Sequence, residues 1–121
     1  MAENFTVDPK RDAEDNKVMA ILAYLGILFL VPLLAAKESP FARFHTNQGI
    51  ALFILGAAVG IVVSILSAIF SQISLTLVLL TSLLSLACSL GIFVLAIIGI
   101  VNAVKGEMKE LPLIGKYKIL K

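Results

Sequence analysis

The stretch Ser-Gln-Ile-Ser, at residues 71–74, is the most polar interruption in an apolar run that extends from Arg43 to Lys105. No Asp, Glu, Lys or Arg side chain lies inside this run. A helix that crosses the hydrocarbon core of a bilayer needs about 20 apolar residues, so the run is far too long for a single crossing. The polar stretch therefore divides it into two predicted membrane helices, at about residues 44–70 and 75–104.

Composition indicates a membrane protein of a single domain. Hydrophobic residues make up 60% and charged residues 15% of the 121 residues, and the mean hydropathy is +1.02. Soluble domains are typically about half apolar and about a quarter charged, so this chain does not belong to that class. We predict a flexible hydrophilic leader at residues 1–17 and a single membrane domain at residues 18–121.

Another apolar run lies near the start of the chain, between Lys17 and Lys37. Its length fits one crossing, so residues 18–36 are predicted to be the first of three spans. A further break at Thr81 and Ser82 would leave a segment too short to cross, which makes four spans the less favoured alternative. The predicted fold is an all-α integral membrane bundle of three transmembrane helices.

The distribution of basic residues predicts the orientation. Lysine and arginine near the ends of membrane helices tend to remain cytoplasmic. With three spans, three of the ten basic residues lie on one side and seven on the other, and the larger group includes the C-terminal tail at residues 105–121. We predict a protein of the inner (cytoplasmic) membrane with its C-terminus cytoplasmic and its N-terminus outside. The basic tail is predicted to lie on the anionic membrane surface.

Two of the predicted helices carry stripes of small residues. Such stripes allow helix backbones to approach closely in lipid, either within one bundle or between copies. Both stripes are predicted helix-packing faces, and their members are Gly56, Gly60 and Ser64 in the second helix and Ser85, Ser89 and Gly99 in the third.

The only histidine occurs in Ser-Pro-Phe-Ala-Arg-Phe-His-Thr-Asn-Gln-Gly, at residues 39–49. Ser39 can cap the helix that follows, and the proline after it suits the first helical position. At about 100° per residue, His45 and Gln48 share one face of this helix. Arg43 lies on the opposite face, where its head can reach lipid phosphates.

Two interpretations of His45 are open. In the first, His45 and Gln48 form a site for a lipid headgroup or a partner. In the second, His45 is a structural residue that is hydrogen-bonded to Gln48, to Asn102 or to the tail. The structural interpretation is favoured. Catalysis needs a second group, and no acidic residue shares this face. One histidine without carboxylate or thiolate neighbours does not make a metal site. No catalytic residue, cofactor or metal is therefore predicted.

Four segments carry a more specific pattern. They are Asp-Asn-Lys-Val-Met-Ala-Ile-Leu-Ala-Tyr-Leu-Gly (15–26), the segment 37–49 with its element Phe-His-x-x-Gln-Gly, Val-Asn-Ala-Val-Lys-Gly-Glu (101–107) and Leu-Pro-Leu-Ile-Gly-Lys (111–116). They resemble a widespread family of small prokaryotic membrane proteins of unknown function. That family is grouped with the twenty-kilodalton component of the chloroplast inner-envelope import translocon and with magnetosome membrane proteins. The resemblance implies that its marked positions here are His45, Gln48, Gly49, Asn102, Gly106 and Pro112.

These observations predict a non-enzymatic multi-pass membrane protein that acts as a scaffold or accessory subunit in protein translocation or membrane organisation. Its expected partners are a bilayer with anionic headgroups and either further copies of itself or a larger membrane protein, with no nucleic acid. The alternative is an oligomeric pore or carrier for a small solute or ion, with Tyr24, Ser82, Ser85 and Ser89 lining a path. A weaker alternative is a lipid-modifying or phosphotransfer enzyme that uses His45.

Overall fold

The computed structural model describes residues 8–120 of the chain, and within that range it contains helices and turns but no strand. The α-helices are α1 (Pro9–Asp15), α2 (Lys17–Leu22), α3 (Leu30–Ala35), α4 (Pro40–Phe70) and α5 (Leu75–Val104). A turn of 3-10 helix at Gly26–Phe29 precedes α3. The predicted all-α class is confirmed.

Helices α4 and α5 form a hairpin that corresponds to the second and third predicted spans, and both are long and apolar enough to cross a membrane. With 31 and 30 residues, each is about 45 Å long, which exceeds the roughly 30 Å hydrocarbon core. The Ser39 hydroxyl caps α4 by accepting a hydrogen bond from the Ala42 N–H at 3.0 Å. Ser74 caps α5 in the same way, through Leu77 at 3.2 Å. Side-chain caps therefore define both helix starts.

The first predicted span is not a single helix. Residues 18–36 are divided among α2, the 3-10 turn and α3, and neither α-helix exceeds six residues. At Gly26 the backbone takes a φ of +61°, a left-handed conformation that glycine adopts readily and that interrupts the helical path. The structure therefore does not confirm three transmembrane helices.

This interrupted segment returns to the end of the hairpin from which it starts. Asp12 before it and Ser39 after it are in contact, because the Ser39 hydroxyl donates to the Asp12 carboxylate at 2.6 Å. Ala13 also lies beside Gly106 of the tail, with its Cβ 3.4 Å from the position a Cβ would take there. The described start of the chain and its tail thus lie at the same end. This arrangement does not show the predicted placement of the two termini on opposite sides of a membrane.

The predicted flexible leader is partly helical. Helix α1 occupies Pro9–Asp15, and Asp8 caps its first turn. Asp12 and Ala13 on this helix are buried. The second half of the leader is therefore part of the packed structure, whereas residues 1–7 lie outside the described residues.

The buried core lies at one end of the hairpin. We call this end the base, which comprises residues 8–52 and 99–120, and we call residues 53–98 the outer hairpin. Most large apolar side chains of the outer hairpin are exposed. The apolar core of the base consists of two clusters of buried residues, namely Ala13, Ala20, Phe41 and Ala103, and Ala23, Tyr24, Leu52 and Leu111.

Candidate functional site

The candidate site is a buried polar cluster where the first turns of α4 meet α2 and the tail. His45 and Gln48 are both 0% exposed. Because they are three residues apart on α4, they lie on one face, and this face points into the base. The partners of both side chains include backbone groups of the tail, more than sixty residues further along the chain.

His45 uses both ring nitrogens within the protein. Its Nε2–H donates to the Glu107 carbonyl at 2.8 Å, and the Tyr24 hydroxyl donates to Nδ1 at 2.6 Å. A carbonyl can only accept, so this pairing assigns the tautomer that is protonated at Nε2. Burial raises the pKa of the Tyr24 hydroxyl above its usual value, which keeps it a donor. The rings of Phe41 and Phe44 pack edge-on against the imidazole, at centroid distances of 4.7 and 5.2 Å.

Gln48 fastens a turn of the tail to α4. The Leu111 N–H donates to its Oε1 at 2.9 Å, and its Nε2 donates to the Gly115 carbonyl at 3.0 Å. The Gly115 N–H also donates to the Leu111 carbonyl at 2.9 Å, which closes the turn. A Cβ at Gly115 would lie 2.5 Å from the Leu111 backbone, so only glycine fits there without rearrangement. We call residues 111–115 the tail turn.

Asn47 fastens the end of the tail. Its Nδ2 donates to the Leu120 carbonyl at 3.0 Å, and the Leu120 N–H donates back to its Oδ1. Asn47 is absent from the predicted site because it lies on a different face of α4 from His45 and Gln48. Its place inside Phe-His-x-x-Gln-Gly, between two residues that bind the tail, is the signal that could have identified it.

Asp12 is a second residue that the predicted site lacks. Its buried carboxylate accepts hydrogen bonds from the Ser39 hydroxyl at 2.6 Å and from the Phe41 N–H at 2.9 Å. The Asn16 side chain donates to it as well, at 2.9 Å. A carboxylate at the start of a helix is stabilised by the free amides and the helix dipole. No local sequence pattern links Asp12 to a helix that begins so far along the chain.

Two predicted glycines allow close contacts in the base. A Cβ at Gly49 would overlap the Ala23 carbonyl, so the start of α4 crosses the end of α2 backbone to backbone. A Cβ at Gly99 would overlap the ring of Tyr24. These two glycines therefore position the tyrosine that donates to His45.

The remaining predicted site residues lie around the tail. Gly106, with a φ of +73°, redirects the chain after α5. The side chain of Asn102 donates to the Lys109 carbonyl at 3.5 Å, a long hydrogen bond. Pro112 is exposed in the tail turn, and Arg43 is half-buried on α4. The structure thus places Asn102 with His45 and Gln48 among the residues that contact the tail, whereas Pro112 is an exposed residue of the tail itself.

The small-residue stripes of the outer hairpin are not packed within the chain. At Gly56 and Gly60 an added Cβ would meet no atom within 4 Å. Ser64 and Ser89 are exposed, and Ser85 is half-buried. Apart from Gly99, which packs on Tyr24, the members of the two stripes do not pack against each other in a single copy, and they are accessible to lipid or to a second chain.

The polar side chains of the cluster bind other parts of the same chain. Within residues 8–120, no group of three or more histidine, cysteine, aspartate or glutamate side chains is arranged to hold a metal ion. The nitrogens of His45 and both polar groups of Gln48 and Asn47 bind the protein itself. These hydrogen bonds hold the tail and α2 against the start of α4.

Comparison with known proteins supplies the family. Residues 15–118 match the magnetosome magnetite crystal formation protein family. The chain belongs to this family. Three of its relatives are magnetosome proteins, and no solved structure matches the chain.

The relatives cover most of the chain. MamF of Paramagnetospirillum magneticum is 30% identical over 103 residues, which is 85% of this chain and 82% of the relative. MmsF of the same organism is 30% identical over 97 residues, covering 80% and 79%. MamF of Magnetospirillum gryphiswaldense is 28% identical over 116 residues and covers 94% of each chain.

Family membership confirms the predicted resemblance to magnetosome membrane proteins. Together with the two long apolar helices, it indicates a membrane protein. None of the matches named above is to a catalytic family. The predicted likeness to the chloroplast translocon component is not shown by these matches.

Proposed function

We propose that this chain is a non-enzymatic structural protein of a magnetosome-type membrane, in which the α4–α5 hairpin crosses the bilayer twice and the base lies on the cytoplasmic face. Its contribution to crystal formation is to organise the membrane and neighbouring membrane proteins. The observation that carries this proposal is the division of the described chain into an apolar, uncovered outer hairpin and a base that contains every described Asp, Glu, Lys and Arg.

The dimensions of the outer hairpin support two crossings. From Phe53 to Phe70, α4 extends about 26 Å, close to the roughly 30 Å thickness of the hydrocarbon core. Side chains along both helices are exposed, such as Ile61 at 61% and Leu83 at 63%. In water this would be an unusually large apolar surface, whereas lipid solvates it, and the helices satisfy their own backbone groups.

The distribution of charge supports a cytoplasmic base. The turn at residues 71–74 has no charged side chain, and the described lysines and arginines all lie in the base. Basic residues beside membrane helices remain cytoplasmic. Both described ends of the chain are then cytoplasmic, because the segment between α1 and α4 returns to the same end of the hairpin.

The polar cluster supports a structural role for the base. His45, Asn47 and Gln48 fasten the tail and α2 to α4, so the base is held as one platform at the membrane surface. The uncovered stripe at Gly56 and Gly60 supports association with a second copy or a larger membrane protein through close helix contact.

Cysteine crosslinking in native membranes tests the scaffold role. In a Cys88→Ser background, Gly60→Cys places a thiol on the stripe, and Ile61→Cys places one on a neighbouring exposed face as a matched control. Self-association predicts dimers from the first variant at several times the yield from the second. A product of another mass at position 60 would identify a larger partner, and no product above the control level would contradict the scaffold role.

A pore or carrier is the second candidate function. It is favoured by hydroxyls that the outer hairpin leaves exposed, at Ser82 and Ser89. Tyr24, expected to line the same path, is instead buried against His45. Solute flux into proteoliposomes that exceeds flux into empty vesicles, and that falls when both serines become alanine, would favour the pore. A role in protein translocation rests only on the sequence resemblance to the translocon component.

A further inference from the structure

The tail turn displays a large apolar side chain. Leu113, near its centre, is 85% exposed. Its φ of +72° lies in the left-handed region, which leucine rarely adopts. Such a conformation persists only where the surrounding structure fixes it, and here Gln48 binds both ends of the turn, at Leu111 and Gly115. The turn is therefore a fixed support that holds Leu113 outward.

The position of this turn along α4 matches the surface of the bilayer. Gln48 lies about 12 Å from the start of α4, and the outer hairpin begins at Phe53, about 8 Å further on. Segments that lie in the membrane interface bury their apolar side chains about 5–10 Å into the boundary between headgroups and acyl chains. Leu113, held at the level of Gln48, is within reach of that boundary.

The interrupted segment supplies a second apolar flank at a similar level. The ring of Phe29 packs on that of Phe53, with centroids 5.2 Å apart, which places the 3-10 turn at the edge of the outer hairpin. Ile27 and Leu28 on this turn are 56% and 42% exposed. The base thus has apolar side chains directed outward from two separate elements at the bilayer surface.

Cationic groups accompany these apolar flanks. The Lys116 ammonium lies 5.4 Å from the ring centroid of Tyr117. The Lys118 ammonium lies 5.1 Å from the ring centroid of Phe44 and is also paired with the Glu110 carboxylate. Lysines at the headgroup level attract anionic lipids. Among the described residues, the opposite end of the hairpin has only the short turn at residues 71–74. With the hairpin inserted, the described part of the chain would therefore occupy more volume in the leaflet on the base side.

We propose that the base is a wedge that inserts Leu113 and Ile27 into the leaflet on its own side, so that the protein prefers anionic bilayers whose surface on the base side is convex. Convex bending spreads the lipids of that leaflet and opens space for apolar side chains, which is why interfacial insertion depends on curvature. This inference rests on the proposed function, because it requires the hairpin to be inserted in the membrane.

The test uses the full chain, with Glu14→Cys in a Cys88→Ser background. It is reconstituted into anionic vesicles of about 50 to 400 nm diameter, so that curvature varies while the lipid composition stays constant. A membrane-impermeant fluorescent maleimide labels only molecules whose base faces outward, because Glu14 is an exposed residue of α1. Imaging of single vesicles gives protein density against diameter. We expect a density about threefold higher in the smallest vesicles than in the largest.

Two matched double variants show which side chains cause the dependence of protein density on vesicle diameter. Leu113→Ser with Ile27→Ser should lose most of the dependence on diameter, since both side chains are exposed and their removal leaves the buried contacts intact. Leu79→Ser with Leu83→Ser changes side chains exposed by 60% and 63% in the outer hairpin, on the half nearer the turn at residues 71–74. This control should keep the full dependence.

Carbonate extraction of the same samples distinguishes failure of the wedge from failure of the hairpin to insert in the membrane. Retained protein whose density does not vary with diameter overturns the wedge alone, as does a dependence that the Leu113 and Ile27 variant keeps. Loss of a copurifying membrane protein from that variant, with unchanged dependence on diameter, would assign the surface to a protein partner and also overturn the wedge. Protein released by carbonate would overturn the proposed function and the wedge with it.

Discussion

Replacing Gln48 with leucine tests whether this side chain holds the tail on α4. Leucine is similar in size but makes no hydrogen bond, so the substitution leaves the buried Leu111 N–H without its partner. The Gly115 carbonyl loses its bond from Gln48 but keeps the one that the Lys118 ammonium donates at 2.8 Å. A buried polar group left unsatisfied costs about 1–3 kcal/mol, so attachment of the tail should weaken by that amount.

Limited digestion with trypsin in detergent measures this change, because Lys116 and Lys118 lie in the tail. Where the tail opens and closes faster than it is cut, the cleavage rate follows the population of the open form. A loss of about 2 kcal/mol should then accelerate cleavage about 30-fold. Gln72→Leu, at an exposed position in the turn between α4 and α5, is the matched control and should be digested like the wild type. Equal rates for Gln48→Leu and the wild type would refute the attachment.

Three further substitutions test the contacts around this site. Tyr24→Phe removes the donor to His45 and should lower the free energy of unfolding by about 1 kcal/mol, seen as a lower thermal midpoint in detergent; an unchanged midpoint would exclude a stabilising bond. Gly49→Ala places a methyl group against the backbone of α2 and should destabilise the fold by about 1–3 kcal/mol or more. Gly56→Ala, the control, has open space around it and should not destabilise the fold. Equal thermal midpoints for the two variants would contradict the close crossing of α4 and α2. Asp12→Ala removes the carboxylate at the start of α4 and should speed amide hydrogen exchange in α1, and unchanged protection there would argue against this contact.

The long helices were accessible to sequence reasoning because their signals are local. An apolar run without charges, a polar interruption at residues 71–74 and serine caps are readable along the chain, and α4 begins at Pro40 only four residues before the predicted boundary. The segment 18–36 has the same apolar composition as a span. Its interruption depends on the backbone conformation at Gly26 and on the contact between Asp12 and Ser39, and composition reports neither.

The candidate site, too, is predictable from the sequence only in part. The face shared by His45 and Gln48 follows from helical periodicity, and of the structural partners considered for His45 the structure shows the tail. The role of Asn47 and the buried carboxylate of Asp12 depend on contacts between residues far apart in the chain. Periodicity within one helix carries no information about which distant backbone groups will meet it.

The side of the membrane on which each part of the chain lies tests the two-crossing hairpin most directly. Single cysteines replace Glu14, Met108 or Ser71 in a Cys88→Ser background, and an impermeant maleimide is added to spheroplasts and to inside-out vesicles. A hairpin that crosses twice, with a cytoplasmic base, predicts that positions 14 and 108 react only in inside-out vesicles and position 71 only in spheroplasts. Reaction of positions 14 and 108 from opposite sides would contradict it and would restore a third crossing between α1 and α4.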